Sequence, residues 1–338
     1  MENLTTFKIQ YRQMSISGSG GKRRSSERGV ALLVVILGVA LMTLIVVDFA
    51  TTAGLGYLSA ANQANELRAH FLARSSVAVG LGLLTEDLRN DRQTQGGTQP
   101  YDSLFDVWAL PFPAQNIDGG TASVAVVDET RKININQLLN TGNAGLNPQV
   151  AAELERLCTL VGVSPEVIPA IADWIDPDDI VTPGGAEMDY YLRLQPPYAP
   201  RNGFMPTIGD LKMVRGIDDV SFNRLLPFLT VEPENQVNVN TASPEVLAAL
   251  SPELFVNPDL VKAIMTARMI RPFSNLADVG NIPGVGQYMS ELSQLLTTRS
   301  KYFTINGMGT YAGSRKLIHG TFFREPNGVE LLVSWEED

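Results

Sequence analysis

The sequence predicts an α+β protein carried on one long N-terminal helix, with a large helical segment inserted between the strands of its sheet. Three observations support this. An uncharged, mostly apolar run from Val30 to Val47 continues without a proline to Leu88, alternating strand patterns stand at both ends of the remainder, and the stretch between them is helical and partly repeated.

The run from Val30 to Val47 is eighteen residues, which at about 1.5 Å per residue crosses most of a hydrocarbon core of roughly 30 Å. Lys22, Arg23, Arg24 and Arg28, set among glycines and serines, hold its N-terminal end in the cytoplasm, so everything after Asp48 faces the other side. No small-residue boundary of the secretory-signal type follows Val47. The segment instead reads on through Phe49-Ala50, Tyr57-Leu58 and Glu66-Leu67 as one helix, apolar in its first half and amphipathic in its second.

From Asp91 to Asp118 the chain is rich in Gln, Gly and Pro and reads as a connecting loop, with short structure around Leu104 to Trp108. Thr121 to Val127 then alternates as a strand, opened by Gly119-Gly120. At the far end Tyr302 to Asn306, Lys316 to Arg324 and Val329 to Trp335 read as strands, the last two joined by the turn Glu325-Pro326-Asn327-Gly328. Strands on both sides of a helical middle imply one sheet with an insertion.

That middle, from about Lys132 to Arg299, repeats itself. Ile133-Asn134-Ile135-Asn136 recurs as Val237-Asn238-Val239-Asn240, and Ser164-Pro165-Glu166-Val167 recurs as Ser243-Pro244-Glu245-Val246. In the second pair Ser is an N-cap and Pro a first helical residue, so two helices start with the same chemistry. Val237 to Ser243, with Ala263, Arg268, Pro272-Phe273 and Ile282-Pro283-Gly284-Val285-Gly286, resembles the helix-hairpin-helix module of competence-type DNA receptors. Leu211 to Ile217 looks like a second, weaker hairpin. A glycine hairpin of that kind presents N–H groups to a phosphate. Here the hairpins are followed by Gln287-Tyr288-Met289 and by Asp218-Asp219, without the cationic support a phosphate needs. Beyond residue 29 the chain holds 20 basic and 34 acidic residues, net −14. Nucleic acid is not an expected partner, and the hairpins read as an interaction surface.

One polar constellation carries chemistry. Asp173, Asp176, Asp178, Asp179, Glu187 and Asp189 place six carboxylates within seventeen residues. Ahead of them Pro169 to Ala172 reads as helix, and Pro177 ends it, leaving Asp176 at a helix C-terminus where negative charge opposes the macrodipole. A bound hard cation removes that penalty and the repulsion among the acids; a solvated acidic loop, with Trp174, Tyr190 and Tyr191 in the core, is the alternative. The spacing is not that of an EF-hand and gives no ligand map.

The join Arg28-Gly29-Val30-Ala31-Leu32-Leu33-Val34 resembles the prepilin-peptidase site of type IV pilins and type II secretion pseudopilins. In that family the cut follows the glycine, which implies cleavage between Gly29 and Val30 and methylation of the new Val30 terminus. Most members carry Glu as the fifth residue after the cut, facing the N-terminal ammonium of a neighbouring subunit; here that position is Val34. A carboxylate in hydrocarbon is costly unless paired, so its loss fits an outermost subunit with no neighbour above it. By this feature, the paired Asn repeats and the acidic loop with its Tyr190-Tyr191 pair, the chain is similar to the K-type minor pseudopilins, the general secretion pathway protein K family.

The resemblance implies a type IV pilin-like transmembrane helix plus antiparallel sheet with an all-α, helix-hairpin-helix or SAM-like insertion. The divisions are a cytoplasmic leader (1–29), the helix (30–90), a sheet domain (91–131 with 300–338) and the insertion (132–299). It implies calcium on the acidic loop, with ligands drawn from the six acids named above. The implied partners are other minor pseudopilins of a tip complex, the prepilin peptidase and inner-membrane lipid, with a single pass placing the C-terminal domain in the periplasm. The rival readings are a membrane-anchored DNA-uptake receptor and a minor pilin of a true type IV pilus. Enzyme chemistry finds little support: Cys158 is the only cysteine and sits in an apolar setting, and the two histidines, His70 on the helix and His319 in a strand, have no nucleophile–acid pattern beside them.

Overall fold

A computed structural model describes residues 24–94, 100–140, 145–325 and 330–338. Most of the leader and most of the turn read at 325–328 lie outside these residues. The chain forms two compact units, Met1–Gln63 and Ala64–Asp338.

Helix α1, Arg24–Thr94, belongs to both. In the first unit its apolar side chains stand in the open: from Val30 to Val47 every Val, Leu, Ile and Met is more than half exposed. Among the described residues nothing buries this stretch, and by length and composition it is long and apolar enough to cross a membrane.

In the second unit α1 becomes one-sided, burying Ala69, Ala73, Val77, Leu84 and Leu88 against a sheet. Strands β1 (Gln115–Ile117) and β2 (Gly120–Asp128) begin that sheet, and its remaining strands come only after the insertion.

The insertion consists of two halves of the same plan. In the first, β3 (Ile133–Asn134) is followed by α2 (Pro148–Val161), α3 (Ile168–Ile175), α4 (Met188–Tyr191) and α5 (Asp219–Leu225), and β4 (Leu229–Thr230) returns parallel to β3. In the second, β5 (Val237–Asn238) leads to α6 (Pro244–Leu250), α7 (Pro252–Val256), α8 (Pro258–Ile270), α9 (Leu276–Gly280) and α10 (Met289–Leu295), and β6 (Leu296–Thr297) returns parallel to β5. The repeated asparagines explain the likeness. Asn134 and Asn238 each cap the turn that follows by accepting from the N–H two residues on. Asn136 clamps Met205 by donating to its carbonyl at 3.0 Å and accepting from its N–H at 2.8 Å, and Asn240 clamps Phe273 in the same way at 2.9 and 2.8 Å. The repeated Ser-Pro-Glu-Val does not share that register. Ser243 caps α6 directly after its strand, whereas Ser164 caps a 3-10 turn that follows α2 and leads into α3.

The sheet closes with β7 (Tyr302–Tyr311), β8 (Ser314–Arg324) and β9 (Glu330–Glu337), giving the antiparallel order β1-β2-β7-β8-β9. Phe303, Ile305, Ile318 and Phe322 point at α1, and Trp108 packs edge-on against Phe303, forming one core; a second, larger core fills the insertion. The architecture is α+β with an antiparallel sheet. Two differences from the sequence reading are instructive. β1 lies in the stretch read as loop, being only three residues long. β7 runs five residues beyond Asn306, through two glycines that α1 requires. A Cβ on Gly307 would come within 2.4 Å of the Ala73 carbonyl oxygen, and one on Gly309 within 2.0 Å of that of Ala69, so the helix crosses the strand with backbone against backbone.

Candidate metal centre

The site is built by the end of α3 and the loop that returns from it. Pro177 stops the helix as expected, and Asp176 is its C-terminal cap. One turn earlier Asp173 is fully buried, its two carboxylate oxygens accepting the Thr182 N–H at 3.2 and 3.1 Å. The loop folds over it through Gly184, at φ +91°, and through Gly185, where a Cβ would lie 2.0 Å from the Asp173 carboxylate; only glycine allows that approach. Arg215 fastens the loop to the weaker hairpin by donating to the Gly185 carbonyl at 2.7 Å, while its N–H donates to the hydroxyl of fully buried Tyr191. Trp174 meets Tyr191 edge-on, which locks the α3 end against α4.

Glu187, 2% exposed, is thereby set beside Asp173 and Asp176, with one oxygen from each of the three within 4.8 Å of the others. Asp178, Asp179 and Asp189 do not belong to that group. Asp178 accepts the Ile180 N–H, Asp179 accepts an amide N–H of Asn202, and Asp189 is exposed in the first turn of α4.

Three buried oxygens at this point, Asp176 Oδ1 and both oxygens of Glu187, accept no hydrogen bond. Burial, then the Asp176 and Asp173 charges, pushes the Glu187 carboxyl up from 4.5 to about 8. Burial, then Asp178 and Asp173, pushes Asp176 up from 3.8 to about 6. Burial also raises Asp173, against the hydrogen bonding of Thr182. Three crowded acids with unanswered oxygens suit a hard cation, which takes oxygen donors and removes the repulsion. The donor set fits calcium.

The other residues singled out in the sequence fall elsewhere. Gly29, Val30 and Val34 lie in the open stretch of α1, with Val34 62% exposed. At the weaker hairpin Gly216 has φ +86°, and Asp218 directly after it caps α5 by accepting the Ser221 N–H at 2.7 Å. A carboxylate therefore already holds the helix N-terminus that a phosphate would need. Cys158 is buried in the insertion core, where burial raises its thiol to about 11. His70 is half-buried, with Nδ1 3.6 Å from a carboxylate oxygen of Glu337.

A second acidic group has no sequence signature, because its members are brought together only by the fold. Asp87 of α1, Asp102 and Asp106 place one oxygen each within 4.8 Å of one another, beside buried Arg324 at the end of β8. Arg324 bonds Asp102 and has Nη1 3.6 Å from Asp87 Oδ2. The same junction is tied to the insertion: Asn238 donates to the Asp102 carbonyl and to Ser300 Oγ, and Asp128 accepts from Ser300 and from Thr241.

Comparison with known proteins gives a consistent family. Two family models match, both described as type II secretion system protein K, over residues 131–234 and 237–299. Their boundary falls between β4 and β5, where the first half of the insertion ends and the second begins. The chain is 29% identical over 316 residues to type II secretion system protein K of Pseudomonas aeruginosa, covering 90% of this chain and 91% of that one. It is 27% identical to the protein of the same name from Aeromonas hydrophila, covering 91% and 96%. Among solved structures, one from a GspK-GspI-GspJ complex of the enterotoxigenic Escherichia coli type 2 secretion system shares the fold. Its TM-score is 0.69 at 20% identity, covering 83% of this chain and 99% of that chain.

Proposed function

The chain belongs to the type II secretion system protein K family, and from that premise we propose that it is the outermost minor pseudopilin of the secretion pseudopilus, where it starts assembly of the filament and so supports export across the outer membrane. The observation that carries the tip assignment is Val34. In a filament of apolar helices, a subunit with a neighbour above it gains from a carboxylate that pairs with that neighbour's terminal ammonium; a capping subunit would bury the charge unpaired. The partners of this reading are other minor pseudopilins, and the solved structure that shares the fold is itself from a GspK-GspI-GspJ complex. The prepilin peptidase would act at Gly29-Val30, and the open apolar stretch of α1 would sit in inner-membrane lipid with the C-terminal unit in the periplasm.

We further infer that Asp173, Asp176 and Glu187 hold a calcium ion that fixes the loop from Pro177 to Glu187. The unanswered oxygens of Asp176 and Glu187 support this. A bound calcium would supply positive charge to which the Asp173, Asp176 and Glu187 oxygens coordinate; the chain supplies a cradle shaped by Gly185, Thr182 and Arg215.

Purification of the full chain from native membranes tests the assignment. Mass spectrometry is expected to find an N-terminus at methylated Val30 and other minor pseudopilins in the same complex. An intact leader in cells that contain the peptidase, together with a chain that purifies alone, would contradict it.

A further inference from the structure

The acidic group at the junction of α1, the sheet and the insertion is separate from the loop of α3. Its three carboxylates come from two parts of the chain, Asp87 in α1 and Asp102 with Asp106 in the segment that follows it, and Asp87 and Asp102 are 5% and 3% exposed. Like charges are not gathered in a buried place without something to offset them. Arg324 offsets part of the charge. With all three ionised, one guanidinium against three carboxylates leaves an excess of two, and Asp128, which also acts on Arg324 through space, adds to it.

The hydrogen bonding is incomplete in the same spot. Asp87 is more than nine-tenths buried, and its Oδ2 accepts no hydrogen bond, with Nη1 of Arg324 standing 3.6 Å away. Asp106 is held in place by the N–H and hydroxyl of Ser103, at 2.7 and 2.8 Å, and Asp102 by the Ser300 N–H at 2.7 Å. Each of these oxygens keeps a lone pair for a further partner. Asp102 and Asp106 are thus held by bonds that do not depend on an ion, each with an oxygen within 4.8 Å of one on Asp87.

We propose that Asp87, Asp102 and Asp106 form a second cation site, taking a divalent ion of the hard, oxygen-preferring class. A charge excess of two and an all-carboxylate donor set match that class, and soft or nitrogen-preferring metals find no thiolate or imidazole in this group. Because Asn238, Ser300 and Asp102 share one network, an ion here joins the helix, the sheet and the second half of the insertion. It would stiffen the seam through which the insertion is carried, independently of the loop at α3.

Equilibrium dialysis of the full chain in detergent micelles against radioactive calcium counts the ions bound. Asp87→Asn and Asp106→Asn are each expected to bind one ion fewer per chain than the unmodified protein, while keeping a cooperative melt and the ion that Glu187→Gln removes. An unchanged count in both variants overturns the proposal. A count that falls only with Glu187→Gln also overturns it, leaving the loop of α3 as the sole site. Asp106, less buried than Asp87, guards against a variant that merely fails to fold, since unfolding would release every ion and the cooperative melt together.

Discussion

Replacing Glu187 by Gln reverses the sign of a stability change according to whether calcium is present. Without metal, the carboxyl ionises in the unfolded chain near 4.5 but in the folded chain only near 8. A group whose folded value is raised in this way favours the folded state while it carries its proton, and the cost of folding grows as pH rises from 4.5 towards 8. At about 1.4 kcal/mol for each tenfold change in ionisation constant, the ceiling at pH 8 is about 5 kcal/mol. Solvent at the rim of the loop screens much of the repulsion, so we expect a net effect on the order of 1–2 kcal/mol. Gln keeps the shape, carries no charge and offers its amide hydrogens to Asp173 and Asp176. In chelator at pH 8 the variant should therefore melt higher than the unmodified chain. With calcium the order inverts, because an ion bound only by the folded state at a hundredfold excess over Kd contributes about 2.7 kcal/mol that the variant loses. Melting of the full chain in detergent, with calcium and with chelator, at pH 5 and pH 8, measures all four conditions. A variant less stable than the parent without calcium at pH 8, or stabilised by calcium as much as the parent, would refute the reasoning.

Other expectations follow from the same structure. Asn240→Ala removes two buried hydrogen bonds and leaves the Phe273 N–H and carbonyl unanswered, so denaturant melts should show a loss of about 2–5 kcal/mol; Asn136→Ala should cost a similar amount through Met205, and a loss under 1 kcal/mol at both would mean that the clamps do not hold the two halves. Gly185→Ala drives a methyl into the Asp173 carboxylate and should abolish the calcium-dependent rise in melting temperature, a result contradicted by an unchanged rise. Val34→Glu should leave secretion unchanged or reduce it, and a clear increase in secreted protein would remove the argument from the missing acid.

The parts of this molecule that repeat locally were legible in the sequence. Period-two alternation marks Thr121 to Val127 and the strands after Tyr302, and the apolar run marks α1, because in these segments each residue's environment follows from its neighbours. Gly307 and Gly309 read as the end of a strand, since their reason for being glycine is the close crossing of α1, more than 230 residues away in the chain. The Asn repeats were visible, but their use was not: the partners of Asn136 and Asn240 lie 69 and 33 residues downstream. The acidic stretch was evident as composition, yet only burial decides among its members. Asp173 and Glu187 are covered by the returning loop while Asp178 and Asp179 remain in solvent, and that division depends on Gly185 and Arg215. The group around Asp87 left no trace at all, because none of its four residues is close in sequence to more than one other.

The central claim is that this chain caps a filament, and the position of the chain in the filament tests it most directly. A gold label attached at the exposed β7–β8 turn, near Gly313, can be located by electron microscopy on pseudopili assembled with all the minor subunits. One label at one end of each filament is the expected result. Labels distributed along the filament length would contradict the account.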